Sequence, residues 1–229
     1  MDWVIICLSA GIAYLIGSFN SAVVISKSME HSDVRDYGSG NAGMTNMLRT
    51  YGLKAAALTL VLDLAKGFLA CVIAGLLAKY CTVRFDWIDG VCTGGIFVVL
   101  GHNWPVFFGF RGGKGVLTTL AAMVMISPFA ALCALAVFLL IIGLTRYVSL
   151  GSIVAAVLMT VLTAVFRGIS GQPVISYPFI ASLILAVLLI ARHHANIGRL
   201  IKGTESKISL SKKHNNKDNN VEPQGEDRR

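Results

Sequence analysis

The chain has 229 residues, 55% hydrophobic and 14% charged, with a mean hydropathy of +0.70. That balance excludes an ordinary soluble domain and predicts one polytopic membrane domain followed by a polar tail. The net charge of +8 lies mostly in loops between apolar runs, where it sets topology and meets anionic lipid, so it argues against nucleic-acid binding. Cys7, Cys71, Cys81, Cys92 and Cys133 form no CxxC pair and no spacing with histidine, which argues against a disulfide framework or a zinc site.

Met1-Asp2 is not a basic n-region, and no small-residue cleavage site ends the first apolar run. Residues 3–25 therefore read as a retained span rather than a signal peptide. Further apolar runs cover 53–78, 91–110, 116–126, 129–144, 150–166 and 174–191. Most can cross a layer of about 30 Å as helices. The exception is the stretch around Ser127-Pro128. One helix over 116–144 would carry a proline in its middle, whereas two helices divided there would each fall short of the usual ~17 residues.

Charge decides between them. With seven spans and the N-terminus outside, 16 of the 20 Lys and Arg residues fall in the inner segments 27–54, 111–114, 145–149 and 192–229. Outer segments hold 3, and Lys66 lies inside a span. This is the asymmetry of the positive-inside rule. The prediction is an all-α membrane domain of seven transmembrane helices over residues 1–205, with the N-terminus outside and the C-terminus cytoplasmic. Residues 206–229 read as a polar, disordered tail.

In this topology several polar segments share the cytoplasmic face. The first, 38–49, is a long polar, small-residue run. Gly38, Gly40 and Gly43 permit sharp turns and close approach of N–H groups to an anion. Ser39, Asn41, Thr45 and Asn46 add donors, and Arg49 adds a fork suited to phosphate. Its GxGxxG pattern follows a membrane span rather than a strand, which argues against a dinucleotide fold. His31 and Asp36 match an HxxxxD acyltransferase dyad, which could deprotonate a hydroxyl, but the soluble domain that such a dyad occupies is missing.

Asp63 and Lys66 lie three apart within an apolar run and predict a buried ion pair, with a structural or a site-orienting role. The second polar segment runs from His102 through Trp104-Pro105 and an aromatic run to Arg111-Gly112-Gly113-Lys114-Gly115. Its Gly-Gly-Lys-Gly core suits a phosphate, although Phe108 and Val116 exclude a Walker A loop. Arg146 to Ser152 follows, and then Arg192-His193-His194-Ala195-Asn196, where His193 and Asn196 would share a helix face. Glu205 could cap a helix or pair with an arginine. No metal-ligand cluster is visible, so no metal or other cofactor is expected.

The order and spacing of 38–49, 101–115 and 192–205, together with the hydrophobic layout to about Glu205, resemble the acyl-phosphate-dependent glycerol-3-phosphate acyltransferases of bacterial membranes, the PlsY-type family. Met44 departs from that pattern, in which Ala usually precedes the Thr-Asn pair. The resemblance implies transfer of an acyl group from an acyl-phosphate to the 1-hydroxyl of sn-glycerol 3-phosphate, with lysophosphatidic acid and inorganic phosphate as products of an early step in phospholipid synthesis. It implies Ser39, Arg49, Lys114, Ser152, His193 and Asn196 as catalytic residues. Gly40, Asn41, Thr45, Asn46, His102, Gly112, Gly113, Gly115 and Ser149 would bind substrate, with His102 shaping the second motif. It implies no covalent acyl-enzyme, with the substrate's own phosphate as base. The implied setting is the bacterial cytoplasmic membrane, multi-pass, with the site facing the cytoplasm. The implied partners are membrane lipids, both substrates and, functionally, an acyl-phosphate-forming enzyme. The competing class is a transporter of phosphorylated metabolites, which usually carries repeated halves around a midplane site. No repeat is visible here, and the polar residues collect on one face.

Overall fold

The computed structural model describes residues 1–208, so residues 209–229 of the predicted tail lie outside the described range. The apolar runs become helices. The first is divided into α1 (Asp2–Ser18) and α2 (Ser21–Glu30) by Asn20, whose side chain accepts from the Val23 N–H and caps α2. The break leaves the Phe19 carbonyl outside the helical ladder, and Lys66 Nζ donates to it at 2.8 Å. Two amphipathic and apolar helices follow, α3 (Met44–Tyr51) and the long α4 (Leu53–Cys81). A capping box between Asp86 and Asp89 starts α5 (Trp87–Asn103).

α6 (Val116–Ile126) ends at Ser127, and Pro128 opens α7 (Pro128–Thr145), where its missing N–H costs nothing. α8 (Val148–Ile169) and α9 (Tyr177–Arg192) complete the apolar set, and α10 (His194–Ile201) leaves α9 at a bend of 60°. Among the described residues, five units can cross a membrane by length and composition: α1 with α2, α4, α5, α7 and α8. The number becomes six if α9 and α10 are one bent span. The predicted count of seven thus turns on α6, whose 11 residues reach about 16 Å.

α4 and α5 pack at the centre, with α1 against both, through small residues that let backbones approach. A Cβ at Gly94 would stand 2.8 Å from the Ala70 carbonyl and from the Ala74 methyl. α7 pairs with α8, α8 with α9, and α9 returns to α5, while α6 packs against α4, α5 and α7. Between these helices lies a cavity of about 500 Å³.

Candidate active site

The cavity has two chemically distinct walls. Leu60 and Leu64 of α4, Leu117 and Leu120 of α6, Leu135, Phe138 and Leu139 of α7, and Met159 of α8 make one side apolar. The other side takes its polar groups from 39–49, the loop before α6, the first turns of α8, and the junction of α9 with α10. Most of the predicted site residues meet here: Ser39, Asn41, Thr45, Asn46, Arg49, His102, Lys114, Gly115, Ser149, Ser152, His193 and Asn196 all line it. Gly40 sits in an exposed turn outside the lining, and Gly112 and Gly113 are buried in the loop behind it. His31 and Asp36 lie on the exposed surface away from the cavity, so the HxxxxD spacing forms no part of it.

The segment before α3 is shaped by Asn46. Its Oδ1 accepts from the Ser39 N–H at 2.9 Å, and its Nδ2 donates to the Val34 and Tyr37 carbonyls. The Asn46 side chain is therefore occupied in holding the loop, while Ser39 Oγ meets no partner among the described residues. Met44 lines the cavity and packs on the cluster beneath α3, and its place in the motif removes no polar group.

The loop before α6 is held from outside by two arginines. Arg35 donates to the Phe108 and Arg111 carbonyls, and Arg192 donates to the Gly113 carbonyl from Nε at 3.1 Å and from Nη2 at 2.9 Å. Arg192 also lies over the Trp104 ring at 5.4 Å. Gly113 is required by crowding, since a Cβ there would strike His102 Nε2 and the Ala42 carbonyl. The loop delivers the N-terminus of α6 to the cavity through Gly115, Val116 and Leu117, where unpaired helical N–H groups favour an anion.

Lys114 Nζ donates to Asn196 Oδ1, and Asn196 Nδ2 donates to Glu205 Oε1 at 2.6 Å. Glu205 also accepts from Ser149 Oγ at 2.8 Å and from Arg199 Nε at 2.7 Å. Burial pushes its carboxyl up, but the hydrogen bonds from Asn196, Arg199 and Ser149 outweigh that and hold it below the usual range. Burial pushes Lys114 down to about 8; Glu205 opposes this, and Arg199, Arg49 and Arg192 add to it. Arg49 is also lowered by burial, and its Nη2 reaches the Ser206 carbonyl at 3.0 Å.

His193 Nδ1 lies 2.7 Å from the Leu189 carbonyl, so Nδ1 carries the proton and Nε2 remains an acceptor. Ser152 Oγ donates to the Val148 carbonyl one turn back and keeps its lone pairs. Arg49, Lys114 and Arg199 against the Glu205 carboxylate make the polar end cationic. The arrangement suits a phosphate-bearing molecule at one end and an alkyl chain at the other.

Sequence reasoning did not place Arg35, Arg199 or Arg192 at the site, and it gave Glu205 no specific partners. Arg192 stood next to His193 in a segment already singled out, but nothing local pointed it at a loop far back in the chain.

Comparison with known proteins agrees with this geometry. The family model described as glycerol-3-phosphate acyltransferase matches residues 7–203. A glycerol-3-phosphate acyltransferase of Thermoanaerobacter sp. (strain X514) is 49% identical over 201 residues, covering 88% of this chain and 94% of that protein. One from Clostridioides difficile (strain 630) is 41% identical over 203 residues, covering 89% and 95%. The crystal structure of PlsY (YgiH), an integral membrane glycerol 3-phosphate acyltransferase, in its glycerol 3-phosphate form superposes with a TM-score of 0.77 at 37% identity, covering 89% and 96%. Its lysophosphatidic acid form gives 0.74 at 36% identity, covering 90% and 96%. With the match running through all three polar segments and the helices that carry them, the chain belongs to the glycerol-3-phosphate acyltransferase family of integral membrane proteins, PlsY type.

Proposed function

We propose that this protein transfers an acyl group from an acyl-phosphate to the 1-hydroxyl of sn-glycerol 3-phosphate, releasing 1-acyl-glycerol 3-phosphate, a lysophosphatidic acid, and inorganic phosphate. The observation that carries this reading is the two-walled cavity, cationic at one end and apolar at the other. It accommodates a donor with an alkyl chain and a phosphate together with a small phosphorylated acceptor. An acyl-phosphate is already activated, so the protein needs to supply position and charge rather than a nucleophile.

In the reaction the acceptor's 1-oxygen forms a bond to the acyl carbonyl carbon, and the bond from that carbon to the phosphate oxygen breaks. The leaving phosphate takes the electron pair. Arg49, Lys114 and the N–H groups at the start of α6 balance its charge. The hydroxyl proton passes to the acceptor's own phosphate, while His193 Nε2 and Ser152 Oγ orient the hydroxyl. Asn196 and Glu205 fix Lys114, and Ser149 fixes Glu205. Ser39, Asn41 and Thr45 face the same space and complete the phosphate sites.

The reading extends to topology. Seven crossings, with the N-terminus outside, put every segment of the cavity's polar end on the cytoplasmic side of a bacterial inner membrane. The positive-inside asymmetry supports it. A water-soluble acceptor and a donor from an acyl-phosphate-forming enzyme would then reach the site from that side.

The test is phosphate release by the purified protein given palmitoyl-phosphate and glycerol 3-phosphate, with chelator present. Release should require both substrates and fall by at least about a hundredfold in Lys114→Ala and His193→Ala, the scale of losing charge stabilisation at a reacting centre. Both variants should keep the wild-type helical content. Binding of glycerol 3-phosphate without turnover would instead support a transporter.

A further inference from the structure

In the cavity wall lies a buried charged cluster to which the proposed reaction assigns no part. Asp63 and Lys66 of α4 and His102 of α5 are 2%, 6% and 4% exposed. Lys66 Nζ has three neighbours at hydrogen-bonding distance: the Phe19 carbonyl at 2.8 Å, Asp63 Oδ1 at 2.8 Å and His102 Nδ1 at 2.9 Å. Ser21 Oγ also donates to Asp63 Oδ1 at 2.9 Å. A lysine ammonium has three N–H donors and accepts nothing. At 2.8 Å from the Asp63 carboxylate, Lys66 is its ammonium partner, because either charge alone would be costly inside a membrane protein. Its third N–H then points at His102 Nδ1, which has to be a lone pair.

Two other arrangements fail on geometry. An Nδ1–H aimed at Asp63 Oδ1 would have to span 3.7 Å, beyond a hydrogen bond. A doubly protonated imidazole would set N–H against N–H at the Lys66 contact. The neutral ring therefore carries its proton on Nε2. That nitrogen stands against Gly113, where any Cβ would collide with it, and His102 itself lines the cavity.

We propose that the Asp63–Lys66 pair is a positioning device that holds His102 as the Nε2–H tautomer, and that this N–H donates to a substrate phosphate in the cavity. The inference rests on the acyltransferase reading. It gives the substrate contact implied for His102 a defined donor, Nε2–H, and adds two residues that act only through it. It also accounts for a carboxylate beside an anion site: Asp63 lines the cavity, and Lys66 and Ser21 offset its charge toward the substrates. The break at Asn20 takes part as well, because it frees the Phe19 carbonyl that holds Lys66.

The first arm of the test is nitrogen NMR on full-length, ¹⁵N-histidine-labelled protein in lipid nanodiscs, with His102→Gln used to assign the ring. The expected signature is a bare Nδ1 and a protonated Nε2, with the Nε2 resonance shifting when glycerol 3-phosphate or palmitoyl-phosphate is added. An Nδ1–H tautomer, an imidazolium or a silent Nε2 overturns the proposal without any kinetic variant.

The second arm is kinetic. His102→Leu should raise KM for at least one of the two substrates by about tenfold or more, the scale of a hydrogen bond to a charged group, with a smaller change in kcat. The substrate whose KM moves identifies the phosphate concerned. His102→Gln, which retains an N–H, should recover part of the loss. The paired variant Asp63→Asn with Lys66→Met leaves no lone buried charge and should raise the same KM, yet cost nothing further in a His102→Leu background. Full additivity, or an unmoved KM for both substrates in folded His102→Leu, overturns the proposal. A wild-type protein that turns over neither substrate would sink the acyltransferase reading instead.

Discussion

Lys114 meets two opposing demands. Its ammonium is wanted opposite a phosphate, yet burial in the cavity wall pushes it down to about 8. Below that pH the group is charged in the folded protein; above it, the charge is lost. An alkyl phosphate is already a dianion above about pH 7, its second ionisation lying near 6, so the substrate does not change over this range. The kcat/KM for the phosphate substrates should therefore fall as pH rises above about 8, since this ratio reports the free enzyme. Stability should move the other way. The unfolded chain, with Lys114 at its ordinary value of 10.5, binds more protons between these two values, so stability contributed by this residue rises with pH across that window. Lys114→Arg, charged throughout, should flatten the alkaline limb of the activity profile, although its planar head alters the geometry. An alkaline limb unchanged in Lys114→Arg would assign it to another group. Lys114 and its glycines were legible in the sequence because a basic residue among glycines announces itself. That Asn46 serves the loop was not, because its partners are backbone groups of residues 34, 37 and 39, brought round by the turn.

At the scale of elements, much of the site's order comes from arginines outside the cavity. Arg192 closes α9, and its guanidinium reaches back to the Gly112 and Gly113 carbonyls. Replacing it by Met removes these donors to two partly buried carbonyls. Arg192→Met should lower kcat/KM about ten- to a hundredfold, in keeping with hydrogen bonds from a charged donor, with unchanged helical content. Arg192→Lys should not restore it, because one ammonium cannot reproduce the planar fork that serves both carbonyls. Wild-type kinetics in Arg192→Lys would show that charge alone, and not the fork, is needed. These clamps escaped sequence reasoning for a physical reason. A basic residue at a helix C-terminus has an ordinary role in anchoring the helix end, and only the bend between α9 and α10 aims it elsewhere. Asn20 escaped for a similar reason. One polar residue barely changes the average of a 23-residue apolar run, but its side chain caps the next helix and divides the span. By contrast, the break at Ser127-Pro128 was readable, because proline is permitted at the start of a helix and not in its middle.

Over the whole molecule, the short α6 and the loop before it explain each other. In a layer of about 30 Å, a helix of about 16 Å that starts at the outer surface ends roughly 14 Å below the inner one. The loop 109–115 would then lie at membrane depth, where irregular backbone survives only inside protein. Residues 112–115 meet that condition, since Gly112, Gly113 and Gly115 are buried and Arg192 takes the Gly112 and Gly113 carbonyls, whereas Gly109, Phe110 and Arg111 are exposed. The positive end of α6 would then open on the cavity below the inner surface. This arrangement requires Ser127 to emerge on the outer side. In a cysteine-free background, Ser127→Cys, Arg84→Cys and Gln172→Cys should react with an impermeant maleimide in intact cells. Arg146→Cys and Lys202→Cys should react only after permeabilisation. If residue 127 stays silent while 84 and 172 react, α6 and α7 form a re-entrant hairpin and the site lies nearer the surface. If residue 146 reacts from outside, α6 does not cross at all, α8 and α9 are inverted, and the first motif and the α9–α10 junction could not share one cavity.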